Sequence, residues 1–185
     1  MKISVFGLGY VGAVSCAYLP ELGHEVIGVD INPQKVRMIN EGQSPVVEES
    51  INELIEAAVK AGKLCATEDV KTAVANTELS LISVATPSNP DYTPNLTAVD
   101  AVVRSIGEAI RDKPGHHTVV LRSTVQPGTT ESRILPILEN AAGRKVGDRL
   151  SLVFNPEFLR EGTSVKDFHN PPQTVIGSLD ETGYV

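Results

Sequence analysis

The sequence predicts an α/β fold with a doubly wound parallel sheet of about six strands, and two observations support this prediction. Short apolar runs that suit buried strands alternate along the 185 residues with segments whose apolar residues recur at helical spacing. The first apolar run leads into Gly7-Leu8-Gly9-Tyr10-Val11-Gly12, a G-x-G-x-x-G turn, and a helical segment follows directly. This order of strand, glycine-rich turn and helix is typical of Rossmann-type dinucleotide-binding domains.

The first half of the chain is predicted to contain four strands and four helices. The strands are expected at 1–6, 25–29, 64–66 and 79–85. One helix follows Gly12, and a second begins at Pro33, because Asn32 is a favoured N-cap and proline a favoured first helical residue. A third helix is expected at 49–60, and Thr67 is expected to cap a short fourth helix.

The second half continues the alternation. A breaker-rich loop at 86–95 precedes a helix at 97–113, and further strands are expected at 118–121, 150–154 and 173–177. A helix is expected around 134–138. His116 and His117 come just before a strand, so we expect them at its exposed start, without a catalytic or metal-binding role.

The glycine turn and the acid that ends the second strand predict a cofactor site. Gly7 permits the tight turn, Gly9 lets the backbone approach a pyrophosphate, and Gly12 lets the helix pack against the strands. The helix N-terminus supplies N–H donors and a partial positive charge for the phosphates. Asp30 follows Gly12 by 18 residues, near the spacing of an acid that accepts from the adenosine ribose hydroxyls.

The predicted cofactor is NAD rather than NADP. Ile31 and Asn32 follow Asp30, so no arginine stands there to neutralise a 2′-phosphate. Lys35 is expected to border the adenosine end of the cofactor. Thr86 ends the fourth strand, and it is a candidate cofactor contact because open α/β sheets bind ligands at that edge.

Composition argues against several classes of function. The chain has 16 basic and 23 acidic residues, a net charge of −7, which disfavours a nucleic-acid-binding surface. No apolar run approaches the roughly 18 residues of a membrane span, and no signal peptide is apparent. Cys16 and Cys65 lie in unrelated segments, which favours a reducing cytoplasm and disfavours a disulfide or a metal site. We expect each cysteine to be a small buried hydrophobic residue.

Glu157 and Glu161 are the candidate catalytic pair. If Pro156 opens a helix, the spacing of four places both carboxylates on one helical face. They follow a strand, so they would lie near the nicotinamide end of the site, where a carboxylate can orient water, take a proton or bind a substrate hydroxyl. Arg160 could neutralise one of them. The same spacing suits a solvated acidic face, and the sequence leaves both interpretations open.

Five segments together resemble the N-terminal domain of UDP-glucose/GDP-mannose dehydrogenases, in order and at the family's spacing. They are Gly7-Leu8-Gly9-Tyr10-Val11-Gly12, Gly28-Val29-Asp30, Thr86-Pro87-Ser88, Arg122-Ser123-Thr124-Val125-Gln126-Pro127-Gly128-Thr129 and Asn155-Pro156-Glu157-Phe158-Leu159-Arg160-Glu161-Gly162. The last segment is far more specific than the glycine turn. The resemblance covers essentially the whole chain. It implies NAD-dependent oxidation of a nucleotide sugar at C6, from alcohol through aldehyde to uronic acid, with two NAD per turnover, as in the synthesis of polysaccharide precursors.

The resemblance also implies roles for individual residues. The residues that would contact NAD are Tyr10, Val11, Asp30, Lys35, Thr86 and Thr124. Thr124 would also help to hold the water of the second oxidation, while Glu157 and Glu161 would lie at the reacting end of the substrate. Glu161 is the stronger candidate for binding the substrate and positioning the water.

The chain also departs from the family pattern. The family's nucleophile is a cysteine in a Gly-Gly-x-Cys-x-x-Lys-Asp segment, which this sequence lacks, and the central dimerising helix and nucleotide-sugar domain are also missing. We therefore expect 1–185 to be one dinucleotide-binding domain that binds NAD but is inactive alone, from a homodimeric cytoplasmic enzyme. Glu48-Glu49-Ser50-Ile51 replaces the usual Glu-Pro-Gly-Leu, and we expect this segment to pack rather than react.

Two segments of the sequence bear on which nucleotide sugar is the substrate. Segments 44–48 and 171–177 look somewhat more like the GDP-mannose branch than the UDP-glucose branch, although the missing domain reads the nucleobase. Two other functions stay open from sequence alone. One is an NAD-dependent dehydrogenase of another small hydroxy substrate, and the other is a non-catalytic NAD-binding module.

Overall fold

The protein is built on a parallel β-sheet to which one short antiparallel strand is added. The computed structural model describes residues 1–171 and 173–184. Within them the strands are β1 (Lys2–Phe6), β2 (Glu25–Val29), β3 (Leu64–Thr67), β4 (Leu79–Ile82), β5 (His117–Leu121), β6 (Leu150–Phe154) and β7 (Gly177–Ser178). They pair in the order β3-β2-β1-β4-β5-β6-β7, and only β7 runs antiparallel to its neighbour.

Helices connect the parallel strands. They are α1 (Tyr10–Tyr18), α2 (Pro33–Asn40), α3 (Ile51–Lys60), α4 (Val70–Ala75), α5 (Thr97–Ile110), α6 (Leu135–Ala142) and α7 (Ser164–His169). A π-helical turn, Thr130–Ile134, leads into α6, and a 3₁₀ helix, Glu181–Tyr184, follows β7. As predicted, Asn32 caps α2, with its side chain accepting a hydrogen bond from the backbone N–H of Gln34.

Two apolar cores cover the two faces of the sheet. Ile3 and Val5 of β1 belong to a core that includes buried residues of α1, α2 and α3. Phe6 belongs to the other core, which includes buried residues of α4, α5 and α6. This alternation is what a strand buried on both faces requires. It confirms the doubly wound α/β fold.

The order of the strands creates a crevice at one edge of the sheet. From β1 the chain builds β2 and β3 on one side, then returns to build β4, β5 and β6 on the other. The carboxyl ends of β1 and β4 therefore flank the point where the order reverses, and open α/β sheets bind ligands there. The prediction of about six strands is right for the parallel strands, and β7 adds a seventh.

The helix predicted from Pro156 is wrong. Residues 155–160 have no regular secondary structure, 161–163 form a turn, and α7 begins only at Ser164. The reason is local. The Glu157 carboxylate accepts from the backbone N–H of Leu159 at 2.7 Å, and Asp167 accepts from that of Arg160 at 3.2 Å. These side chains take backbone donors that a helix would need.

Two further element predictions need correction. The strand expected at 173–177 is reduced to β7, and the Asn155 side-chain amide donates to the backbone carbonyl of Val175, where a neighbouring strand would otherwise pair. Asp69, not Thr67, caps α4, because its carboxylate accepts from the backbone N–H groups of Lys71 and Thr72.

Burial also differs from expectation at two positions. His117 is fully buried at the start of β5 rather than exposed. Cys16 is buried as expected, but Cys65 is exposed because β3 is the edge strand of the sheet. Pro172, in a segment that suggested the GDP-mannose branch, lies outside the described residues. Among the residues described, no helix is both long and apolar enough to cross a membrane.

Candidate functional site

A cleft opens at the carboxyl edge of the sheet. The glycine turn, the end of β2 and the segments after β4, β5 and β6 form its walls. Most of the predicted site residues line it: Gly7, Gly9, Tyr10, Val11, Asp30, Lys35, Thr86, Thr124 and Glu157. Gly12 and Glu161 are not in its lining. A single cleft thus unites residues spread over 150 positions of sequence.

Each of the three glycines of the turn is required for a different structural reason. Gly7 has φ +92°, in the left-handed region that favours glycine, and a Cβ there would lie 2.9 Å from Val84 Cγ1. A Cβ on Gly12 would lie 1.7 Å from the carbonyl oxygen of Gly7, so α1 packs directly onto the turn. A Cβ on Gly9 would meet no protein atom within 4 Å, which leaves open space beside the backbone there.

The first turn of α1 faces this open space. Gly9 is the N-cap residue and contributes no side-chain hydrogen bond to the helix. The first N–H groups of an α-helix have no partner within the helix, and the helix dipole makes this end partly positive. This end of the cleft therefore suits the phosphates of a dinucleotide.

Asp30 fastens the end of β2 to the glycine turn. One carboxylate oxygen, Oδ2, accepts from the backbone N–H of Leu8 at 2.7 Å, and the other accepts from Asn32 at 2.9 Å. The Lys35 ammonium lies 3.6 Å from Oδ2. The Asp30 side chain is 10% exposed, so these contacts fix a carboxylate that is still reachable from the cleft.

The segments after β4 and β5 are tied together on the opposite wall. The Thr86 hydroxyl donates to the Thr124 carbonyl at 3.0 Å, and the Ser123 hydroxyl donates to the Val84 carbonyl at 2.6 Å. The two threonines predicted as cofactor contacts therefore lie side by side. The Thr124 side chain stays exposed to the cleft.

Arg122 is a charged residue of the cleft to which the sequence analysis gave no role. Its Nη1 donates to Asn155 Oδ1 at 2.6 Å, and its guanidinium carbon lies 5.6 Å from the centre of the Phe168 ring. Burial lowers the pKa of Arg122 below its usual value, and the charge of Glu157 offsets only part of this effect. Among the described residues its Nε is buried without a hydrogen-bond partner.

Arg122 and Glu157 also border a second, adjoining cavity. The segment 155–159 forms one wall, and Phe168 at the end of α7 forms another. Both residues of the pair therefore line the cleft at the glycine turn and this second cavity as well.

The structure does not bring Glu157 and Glu161 onto one helical face. Glu157 lines the cleft, and its carboxylate is held by the backbone N–H of Leu159. Glu161 is exposed in the turn 161–163. Neither spacing nor helix geometry links the two acids, because the helix that would have aligned them does not form.

Glu48 and Tyr10 hold the turn that carries Glu161. The Tyr10 hydroxyl donates to Glu48 Oε2 and lies 3.0 Å from the Ser164 hydroxyl. Glu48 also accepts from the backbone N–H groups of Gly162, at 2.9 Å, and Ser164, at 3.0 Å. We call Tyr10, Glu48, Gly162 and Ser164 the Glu48 clasp.

Protonation equilibria within the clasp are shifted. Burial raises the pKa of Tyr10, and the hydrogen bond to Glu48 raises it further. Burial alone would raise the pKa of Glu48, but the hydrogen bonds from Tyr10, Gly162 and Ser164 outweigh it and the pKa is lowered. Glu48 therefore stays ionised and Tyr10 protonated at neutral pH.

Sequence reasoning missed the roles of Arg122 and Glu48 for different reasons. Arg122 stood inside a quoted motif, and a charged residue directly after an apolar strand was a usable signal. Glu48 was expected only to pack, and no local pattern connects it with Gly162, 114 residues later. Within the described part of the chain, no group of three or more His, Cys, Asp or Glu side chains could hold a metal ion.

Comparison with known proteins identifies the family. The profile of the UDP-glucose/GDP-mannose dehydrogenase family, NAD binding domain, matches residues 1–184. GDP-mannose 6-dehydrogenase of Azotobacter vinelandii is 51% identical over 181 residues, which are 98% of this chain and 42% of the relative. UDP-glucose 6-dehydrogenase AglM of Haloferax volcanii is 40% identical over 184 residues, which are 100% of this chain and 42% of the relative.

Solved structures agree with this result. A ternary complex of GDP-mannose dehydrogenase from Pseudomonas aeruginosa superimposes with a TM-score of 0.98 at 47% identity, covering 100% of this chain and 42% of that one. UDP-glucose dehydrogenase from Pyrobaculum islandicum gives a TM-score of 0.92 at 41% identity, covering 99% and 42%. The chain thus spans about two fifths of the length of these relatives. The family description confirms NAD as the cofactor, and the chain belongs to the UDP-glucose/GDP-mannose dehydrogenase family as its NAD binding domain.

Proposed function

We propose that this chain binds NAD for a nucleotide-sugar 6-dehydrogenase whose substrate is GDP-mannose. The observation that carries the proposal is the single cleft, which has the glycine turn and Asp30 at one end and Thr124, Arg122 and Glu157 at the other. The preference for GDP-mannose over UDP-glucose is supported by the higher identity to GDP-mannose 6-dehydrogenases, 51% against 40% for AglM.

The residues of the cleft fit NAD. The open space beside Gly9 admits a pyrophosphate close to the backbone, next to the N–H groups at the start of α1. The Asp30 carboxylate is held by Leu8 and Asn32, so it can accept from ribose hydroxyls without first being ordered. A 2′-phosphate at the same position would meet a fixed negative charge. When bound, NAD supplies the hydride acceptor of the oxidation.

The catalytic roles proposed for this chain fall on three residues. Thr124 presents a hydroxyl to the cleft that can hold a water molecule at the reacting end. Glu157 is a carboxylate kept in place by the backbone of Leu159 and by the nearby positive charge of Arg122, which suits it to orient a hydroxyl or a water. Glu161 is assigned to substrate binding, from a turn whose backbone is fixed on both sides.

We further propose that residues 1–185 are one cofactor-binding domain and that turnover needs parts outside it. Both thiols in the chain are poor nucleophiles, because full burial raises the pKa of Cys16 and the partial desolvation of Cys65 at the edge strand raises its pKa as well. The relatives extend well beyond the matched region, since it covers 42% of the Azotobacter protein. We propose a homodimer in the cytoplasm for the complete protein, in keeping with the expected dimerising helix and with free cysteines.

Binding and turnover measurements on the pure chain test this proposal. We expect NAD to bind at least tenfold more tightly than NADP by titration calorimetry. Asp30→Asn should weaken NAD binding about tenfold, because a hydrogen bond to a charged group is lost. Asp112→Asn, at an exposed position, is the matched control and should leave the affinity unchanged.

Turnover gives the second half of the test. We expect no NADH formation by the pure chain with either GDP-mannose or UDP-glucose. Failure to bind NAD would contradict the proposed cofactor role. Turnover of either sugar would contradict the proposal that the chemistry needs parts outside residues 1–185.

A further inference from the structure

We propose that Glu48 is a positioning residue, which fastens the turn carrying Glu161 to the cofactor-side helix α1 through Tyr10. The inference rests on the proposed function in one respect, namely that Glu161 faces the substrate. Glu48 itself is not in the lining of the cleft and belongs to no element of regular structure. Its contacts with the turn join segments that lie more than 100 residues apart in sequence.

The turn at 161–163 is held by a residue from a distant part of the chain rather than by a local side-chain cap. The N-cap residue of α7, Thr163, makes no side-chain capping hydrogen bond. Gly162 has φ +85°, a conformation that favours glycine, and the resulting turn directs its N–H toward Glu48. Glu48 therefore holds the entry to α7 from outside, because it accepts from the N–H of Gly162, just before the N-cap, and from that of Ser164, the first residue of the helix.

A second carboxylate holds the other side of Glu161. The Asp167 side chain accepts from Arg160 Nε at 3.0 Å and Nη2 at 2.7 Å, as well as from the Arg160 backbone N–H. Residues 160 and 162, on either side of Glu161, are thus both fixed. Asp167 supplies the local attachment, and Glu48 the long-range one.

Tyr10 connects this arrangement with the cofactor cleft. It is the first residue of α1, lines the cleft beside Gly9, and directs its hydroxyl to Glu48. A ligand that orders the Tyr10 ring therefore favours the conformation in which the hydrogen bonds of the Glu48 clasp are formed. By reciprocity, loss of the clasp weakens the binding of that ligand.

Amide resonances of the 185-residue chain give the direct test. Glu48→Gln keeps the shape but turns an NH₂ group toward one of the two backbone N–H donors and leaves a neutral oxygen for the other, so one bond is lost and the other is weakened. We expect the amide protons of Gly162 and Ser164 to move upfield in NMR spectra and to exchange about tenfold faster. Glu49→Gln, at the adjacent exposed glutamate, is the control and should leave both signals unchanged.

The affinity for NAD gives a readout that a merely structural role would not change. We expect Glu48→Gln to weaken NAD binding about threefold to tenfold, and to have no further effect when Tyr10 is already phenylalanine. This double-mutant cycle isolates the route through the Tyr10 hydroxyl. Thermal unfolding of each variant shows whether the fold is retained, and exchange at β5 amides serves as the internal reference.

The outcomes separate this inference from the proposed function. If the wild-type chain does not bind NAD but Glu48→Gln still loosens Gly162 and Ser164, the proposed function fails and the positioning role stands. If Glu48→Gln leaves both amides as in the wild type, the positioning role is overturned whatever the NAD affinity. Equal loss of NAD affinity with and without the Tyr10 hydroxyl would overturn the link through Tyr10.

Discussion

The two ends of the sheet both bury polar side chains, but they do so in opposite ways. At the carboxyl edge, Asp30 and Arg122 face open space, and Arg122 Nε has no partner among the described residues. Toward the amino edge, Ser4, Ser80 and His117 bond to one another, and none of them is among the described residues with an unpartnered buried atom. Burial of polar groups alone therefore does not mark a functional site, and an unpartnered buried polar atom beside a cavity is the more informative sign.

The amino-edge network has a defined direction. The Lys113 ammonium can only donate, so Nδ1 of His117, at 2.9 Å, must accept from it. His117 Nε2 then carries the hydrogen and donates to Ser80 Oγ at 2.8 Å. Ser80 contacts Ser4 at 2.9 Å, and Ser4 contacts Thr77 at 3.0 Å. The Lys113 contact requires a neutral imidazole, because a protonated Nδ1 could not accept from an ammonium, and this makes the network a structural element that is sensitive to acid.

The largest expected effect is on acid stability. Burial, and then the charge of Lys113, lowers the pKa of His117 to about 3 in the folded state from 6.5. Between pH 6.5 and about pH 3, His117 is protonated in the unfolded chain but neutral in the folded chain. This group therefore leaves the free energy of unfolding unchanged above pH 6.5 and lowers it progressively as the pH falls below that value. The whole span corresponds to roughly 5 kcal/mol of unfolding free energy.

Denaturant unfolding at pH 7 and pH 4 measures this effect. Acid will also destabilise the protein through other groups, so the quantity of interest is the difference between variants. We expect His117→Gln to lose less stability over this interval than the wild type, by roughly 3 kcal/mol. His116→Gln, at the exposed neighbour, should behave as the wild type. If His117→Gln lost as much unfolding free energy between pH 7 and pH 4 as the wild type, the amino-edge network would not be the acid-sensitive element.

The same two edges explain what could be predicted from the sequence. The glycine turn and Asp30 were predictable because their geometry follows from a strand, a turn and a helix that are adjacent in the chain. His117 was placed wrongly, because its burial depends on Lys113, Ser80 and the neighbouring strand β4 rather than on its own surroundings in sequence. Its partners are visible only once the strands are in register.

The segment after β6 shows why the rest of the site was harder to predict. The acid spacing of Glu157 and Glu161 suits a helix, but side chains capture the backbone donors at Leu159 and Arg160, and the helix does not form. The position of Glu161 depends on Glu48, which no sequence pattern connects with it. Motif matching could name the residues of the site, but only the fold could say how they are held.

The next effect concerns the carboxyl edge and separates packing from binding. Gly12→Ala places a Cβ 1.7 Å from the Gly7 carbonyl, so we expect a loss of about 3 kcal/mol in unfolding free energy together with loss of NAD binding. Gly9→Ala meets no protein atom within 4 Å. We expect it to change stability by less than about 1 kcal/mol and yet to weaken NAD binding more than tenfold.

Urea unfolding and NAD titration of both variants provide the comparison. If Gly9→Ala bound NAD as tightly as the wild type, the open space beside Gly9 would not be where the pyrophosphate approaches. If Gly12→Ala were as stable as the wild type, the turn would have room to move away from α1. Either result would mean that the contacts of the glycine turn constrain packing or cofactor binding less than their distances indicate.

The smallest expected effect tests whether the amino-edge network is independent of the cleft. Thr77 is 2% exposed, and its hydroxyl lies 2.8 Å from the carbonyl of Ala73 in addition to its contact with Ser4. Valine has nearly the same shape but no hydroxyl, so Thr77→Val should cost about 1 kcal/mol of unfolding free energy. NAD affinity should be unchanged, because the network and the cofactor cleft share no residue. A weaker affinity for NAD in this variant would show that the two edges are coupled through β1, which carries Ser4 at its centre and Gly7 directly after its end.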